Sequence, residues 1–256
     1  MVILLKLLLA PLLTIGVTLA TRRWGNAVGG WLAGLPLLAG PISFLLAIEL
    51  GLPFAQQAAH GTILGLVGVC AFILTYAEVS RRTTWRGALA AGLGAFFATL
   101  AILHVAGPSF AISVALLAAA LALCLARLPM IHCQPSATRA SPWDLPLRVA
   151  VVTLLVVSIT ALAPMLGSGL SGLISPIPVF TIVFVVIAHR TRTIRAVQRL
   201  LRGACASLIG FAAFFVVIHL APASAGIALV YASALLTVAL VNFATFRVLL
   251  AARAPG

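Results

Sequence analysis

The chain has 256 residues, 63% hydrophobic and only 7% charged, with 16 Lys+Arg against 3 Asp+Glu and a formal net charge of +13. A soluble domain is roughly 45–50% apolar and about 25% charged. This chain cannot cover a water-exposed surface, and its mean hydropathy of +1.25 places it among polytopic helical membrane proteins. The apolar runs lack the period-2 alternation of a transmembrane β-barrel. In chain order, nine spans are expected: residues 2–20, 24–50, 55–79, 86–106, 109–127, 145–165, 167–189, 197–220 and 224–247. Each is long enough to cross an apolar core about 30 Å thick. The first could pass for a signal peptide, with Lys6, an apolar stretch and Thr18-Leu19-Ala20. A counterpart later in the chain makes a retained helix the better reading. Connections are short except over 128–144, where Pro129, Pro135, Pro142 and Pro146 break any helix.

Basic residues alternate between connections. Arg22/Arg23, Arg81/Arg82/Arg86, Arg127/Arg139 and Arg190/Arg192/Arg195/Arg199 follow spans 1, 3, 5 and 7. The connections around 51–54, 105–108, 164–168 and 221–225 hold no Lys or Arg. Positive loops face the cytoplasm, so a bacterial inner-membrane protein is expected, with its N-terminus outside and its C-terminus, bearing Arg253, inside. Topology accounts for the positive charge, and no nucleic-acid partner is needed. Trp24, Trp85 and Trp143 fall at the cytoplasmic interface, as aromatic-belt residues do.

Sliding the chain against itself by 142 residues pairs Lys6 with Arg148, Thr18 with Thr160, Gly25 with Gly167, Gly30 with Gly172 and Pro36 with Pro178. The series continues without a gap through Gln56/Gln198, Gly61/Gly203, Gly68/Gly210 and Phe72/Phe214. An odd number of spans separates the equivalents, so the second half is expected to lie inverted. Arginine changes sides accordingly: Arg195, Arg199 and Arg202 match Pro53, Gln57 and His60, while Arg81, Arg82 and Arg86 match Ala223, Ser224 and Ala228. The expected fold is an all-α membrane protein with an inverted 4+1+4 repeat: residues 1–106, a linker helix and loop over 107–144, and 145–256.

Spans 2 and 7 carry the unusual chemistry. Gly34, Pro36, Gly40, Pro41 and Ser43 fall in the first, and Ser175, Pro176, Pro178 and Thr181 in the second. Each proline removes an N–H donor and clashes with the carbonyl four residues back. Freed backbone groups must be buried in protein or line a wet cavity. Paired interruptions in inverted halves point to a transporter's binding site, although kinked helices packed through small residues give the same pattern. Helices restarting after these prolines aim positive dipole ends at mid-membrane. No acid lies deep in a span, so the ligand expected is a small anionic or neutral polar solute.

Other polar residues are weaker candidates. Glu78, near Arg81 and Arg82, is a boundary ion-pair partner or a coupling carboxylate. Asn242 is a cavity ligand or interhelical glue. Arg192, Arg195, Arg199 and Arg202 share one helical face that meets lipid headgroups. Lys6 and Arg148 snorkel. Cys70, Cys124, Cys205 and Cys133 form no CxxC pair, and the five histidines never stand at i, i+4. Hence no metal site and no cofactor is expected. Phosphate loops, HExxH, GxSxG and carboxylate clusters are missing, so no enzyme is expected.

The run Arg23-Trp24-Gly25, Gly29-Gly30, Gly34-Leu35-Pro36 and Gly40-Pro41, with Pro142-Trp143-Asp144-Leu145-Pro146, resembles a family of bacterial polytopic inner-membrane proteins. That resemblance implies no activity, and the plan is similar to inverted-repeat secondary transporters. The reading is a small secondary carrier whose partners are membrane lipids, its solute and, as a candidate, a second copy of the chain. The rivals are a non-transporting scaffold or channel subunit and a flippase-like lipid-handling protein.

Overall fold

In a computed structural model, the structure describes residues 2–24, 39–128, 177–191, 193–222 and 224–251. It also describes Val28, Trp31, Leu32, Leu35, Pro36, Pro146, Val149 to Val151, Thr153 and Leu154. Every element among these residues is helical: α1 (Val2–Trp24), α2 (Ala39–Leu50), α3 (Leu52–Val79), α4 (Trp85–Ala106), α5 (Phe110–Arg127), α6 (Val179–Thr191), α7 (Ile194–Leu220) and α8 (Ile227–Ala251). Five of them, α3, α4, α5, α7 and α8, are long and apolar enough to cross a membrane. The expected span over 145–165, and the first parts of those over 24–50 and 167–189, fall mostly outside the described residues.

Local chemistry sets the ends of these helices. Gly51, at φ 86°, makes the sharp turn between α2 and α3, and Pro53 follows in the first turn of α3. A left-handed backbone here costs a glycine nothing, and a first-turn proline wastes no helical donor. At the end of α4, Gly107 adopts φ 53°, its N–H returns to the Leu103 carbonyl, and Pro108 prevents continuation.

Helices α3 and α7 form the centre, and they pack against each other. Around them, α3 contacts α2, α4 and α5, while α7 contacts α5, α6 and α8. Phe72, Tyr76, Phe96, Phe184 and Phe214 are among the largest fully buried side chains. Packing of α3 on α4 is reciprocal: Phe72 lies against Gly92, and Phe96 lies against Gly68. In a bilayer, lipid would be as apolar as these rings, and close dispersion contact permitted by the glycines would hold the pairing. The outward faces of α5 and α8 present Ile112, Leu123, Leu229, Leu236, Leu240 and Phe243 to the surroundings. Such unbroken apolar faces suit hydrocarbon, and the backbone polar groups behind them are satisfied within each helix.

Basic residues gather at one end of the bundle. Arg81 and Arg82 follow α3, Arg127 and Arg190 end α5 and α6, and Arg195, Arg199 and Arg202 begin α7. The Arg190 guanidinium lies 5.5 Å from the Trp85 ring centroid, and Arg86 approaches the same ring at 5.3 Å. The opposite end, with the α2–α3, α4–α5 and α7–α8 connections, is free of arginine among the described residues.

Candidate functional site

The two short helices are 12 and 13 residues long, about 18 and 20 Å at 1.5 Å per residue. Neither crosses a core about 30 Å thick. They run in opposite directions: α2 ends beside Gly51 at the arginine-free end, and α6 ends beside Thr193 at the arginine-rich end. Their N-termini therefore lie deep in the molecule, reached from opposite sides. Leu35-Pro36 and Ile177-Pro178 are both non-helical, and the two prolines stand at positions 142 apart.

The backbone shows how each helix starts. At α2, the Leu35 N–H reaches the Leu32 carbonyl at 3.2 Å, and the Gly40 N–H reaches the Pro36 carbonyl at 2.9 Å. At α6, a tight turn from the Val179 N–H to the Ile177 carbonyl (2.7 Å) precedes the first helical bond, from Ile182 to Pro178 (2.8 Å). First-turn N–H groups have no acceptor within their own helix, and the dipole makes that end positive.

Around the start of α2, Gly40 faces the Phe214 ring of α7, where a Cβ would lie 3.5 Å from it. Pro41 is half-buried and Ser43 is buried. The Ser43 hydroxyl is 2.7 Å from the Tyr231 hydroxyl of α8, and Tyr231 also meets Phe44 edge-on at 5.1 Å. Thr181, in the first turn of α6, is buried. Gly34, Ser175 and Pro176 lie outside the described residues. The structure thus brings Gly40 and Ser43 together with Phe214 and Tyr231. The tyrosine was readable in principle, because a phenol in an apolar span needs a partner for its hydroxyl.

At the arginine-rich end, Glu78 is exposed and lies 3.6 Å from Arg81 and 3.7 Å from Arg82. Tyr76, fully buried, bonds to His189 Nδ1 at 3.1 Å and so ties α3 to α6. With its amide oxygen turned to Arg81, Gln198 accepts from Nε at 2.9 Å and Nη2 at 3.2 Å. The expected arginine stripe divides. Arg195 is exposed and Arg199 half-buried, whereas Arg202 turns inward and donates to the carbonyls of Leu125 (3.0 Å) and Leu128 at the end of α5. Arg202 serves as a C-terminal cap of α5, where a cation meets the negative dipole end. Arg192 lies outside the described residues.

Two groupings join residues far apart in sequence. Cys70, Cys124 and Cys205 are buried free thiols on α3, α5 and α7, with Cys124 between the other two and its sulfur 3.5 Å from the Cys70 carbonyl. At the arginine-free end, His60, His219, Gln56, Phe110 and Ser113 converge. Among the described residues no group of three His, Cys, Asp or Glu side chains has a metal-holding arrangement. Asn242 is buried against Gly210, with its Oδ1 lacking a hydrogen-bond partner.

No protein-family model, curated protein or solved structure matches this chain.

Proposed function

We propose that this chain is a small secondary carrier of the inner membrane, built as an inverted 4+1+4 repeat about α5. Its arginine-rich end is cytoplasmic, and it moves a small anionic or neutral polar solute without chemical change. The observation that carries this reading is the pair of short helices, α2 and α6, which start from non-helical prolines 142 residues apart and point their N-termini inward from opposite ends. Two positive helix ends within an apolar core favour an anionic or dipolar ligand over a bare cation. Ser43 and Thr181 supply hydroxyls beside those ends.

The neighbour relationships support the repeat. Helix α3 with α4 corresponds to α7 with α8, and α2 with α3 corresponds to α6 with α7. The contact of α4 with α6 corresponds to that of α8 with α2, and α3 with α7 corresponds to itself. Gly68 faces Leu100 on α4, and its counterpart Gly210 faces Asn242, the counterpart of Leu100.

Purified protein in liposomes should take up at least one member of a labelled panel of lactate, succinate, inorganic phosphate, glycine and glycerol saturably and above protein-free liposomes. Folded, monodisperse protein that moves none of them above background would overturn the carrier reading in favour of a scaffold.

A further inference from the structure

The grouping at the arginine-free end contains two imidazoles from different halves of the proposed repeat. His60 lies in the third turn of α3, and His219 lies one residue before the end of α7. Their ring centroids are 5.7 Å apart, and both rings are half-buried. Hydrogen-bond roles fix their tautomers. A carbonyl only accepts, so His219 Nδ1, 2.9 Å from the Gln56 carbonyl, carries a proton. The Ser113 hydroxyl donates to the Ser109 carbonyl at 2.9 Å, so it accepts from His60 Nε2 at 2.9 Å. Each neutral ring is left with one basic nitrogen: Nδ1 of His60 and Nε2 of His219.

An added proton would be held against an aromatic ring, and a second would meet the charge of the first. Phe110 stacks on His219 at 3.7 Å and meets His60 edge-on at 5.6 Å, and an aromatic face attracts an imidazolium. Two imidazolium ions this close repel. On α3, Gln56 is uncharged and donates to the Ala221 carbonyl at 2.7 Å, and the nearby α5 groups are the uncharged Ser109 and Ser113. The other titratable side chains described at this end are Glu49, ending α2, and His104, near the end of α4, both exposed, and Tyr231 in the second turn of α8, buried and bonded to Ser43. The proton therefore has an entry side and, among the described residues, no neighbouring buried carboxylate to compete for it.

We propose that His60 and His219 together form a one-proton site at the junction of α3, α5 and α7, and that the proton it binds is the coupling ion of the carrier. This rests on the carrier reading. Alternating access moves one half against the other, and a charge held between α3 and α7 sits where that movement must be sensed. The exposed, ion-paired Glu78 stands at the opposite end and, among the described residues, bridges no two helices.

The test has two arms. In the first, histidine-selective 13C/15N-labelled protein in nanodiscs is titrated by NMR, with His60→Gln and His219→Gln assigning the signals. We expect two linked steps in the wild type, with removal of either ring moving the midpoint of the other by on the order of one pH unit. Two independent titrations in the wild type would overturn the proposal without recourse to any variant. In the second, pyranine-loaded liposomes read proton entry when pooled lactate, succinate, phosphate and glycine are added outside. Proton entry that depends on the pool and is lost in both variants supports the proposal, whereas entry unchanged in both overturns it and leaves the carrier standing. No solute flux of any kind removes the carrier reading, and the coupling role with it, while the first arm still reports whether the pair binds a single proton.

Discussion

His60 and Arg202, 142 residues apart, hold opposite ends of the same helix. His60 on α3 donates to Ser113 in the first turn of α5, and Arg202 on α7 donates to the Leu125 and Leu128 carbonyls at its other end. Corresponding positions of the two central helices thus clamp α5 from both sides. In the proposed inverted repeat, α5 would lie on the axis between the halves, and the two contacts would be equivalent.

Removing the Arg202 clamp leaves two carbonyls at the end of α5 without their donor. Hydrogen bonds to a charged group are worth about 1.5–3 kcal/mol, so Arg202→Ala should lower detergent thermostability by that order. Arg195 is exposed, and Arg195→Ala should stay within about 0.5 kcal/mol. Equal melting temperatures for the two variants would show that the contact contributes nothing.

The α7–α8 contact has no room for a methyl group. A Cβ on Gly210 would lie 2.6 Å from Asn242 Cγ, so Gly210→Ala should destabilise by about 1–3 kcal/mol through overpacking. Asn242→Ala removes the obstruction, and the double variant should recover most of the loss in a double-mutant cycle. Additive losses would mean that the two residues do not meet.

Glu78 contacts Arg81 and Arg82 at 3.6 and 3.7 Å on an exposed surface. Exposed pairs are worth about 0–1 kcal/mol, so Glu78→Gln should leave thermostability within that range and leave any pH-driven uptake intact. Loss of gradient-driven accumulation in this variant would transfer the coupling role from the histidine pair to Glu78.

Orientation is checked by single introduced cysteines. Positions 53, 108 and 222 lie at the arginine-free end and should react with an impermeant thiol reagent added outside cells, whereas positions 83 and 193 should not. Outside labelling at 83 or 193 would reverse the topology.

The long helices were legible because their boundaries carry local signals. Gly51 with Pro53, Gly107 with Pro108, and the arginines after Val79 set ends that fall within three residues of those expected for α3, α4 and α5. Tertiary partners were not legible. Ser43 and Tyr231 are 188 positions apart, and His60 and Ser113 are 53 apart; neither spacing has a signature in a chain whose spans are apolar all round. The arginine stripe shows the same limit. Helical periodicity placed Arg199 and Arg202 on one face, but only packing against α5 shows Arg202 reaching the Leu125 and Leu128 carbonyls.

The proline pair decides the functional claim. Pro36 and Pro178 occupy non-helical backbone just before α2 and α6. The Leu32 carbonyl takes the Leu35 N–H, at 3.2 Å, and Pro36→Ala would offer it the N–H that continues a helix through the break. Alanine recovers about 3 kcal/mol of local helix preference relative to proline, and Pro178→Ala should act alike in the other half. If the breaks exist to expose first-turn N–H groups to a solute, each substitution should keep or raise thermostability and abolish saturable uptake. If the prolines merely bend packed helices, each should straighten a kink, loosen its contacts and lower the melting temperature with affinity unchanged. Melting temperature and half-saturation concentration measured on both variants separate the two, and a destabilised protein with unaltered affinity in either half would end the case for a site between α2 and α6.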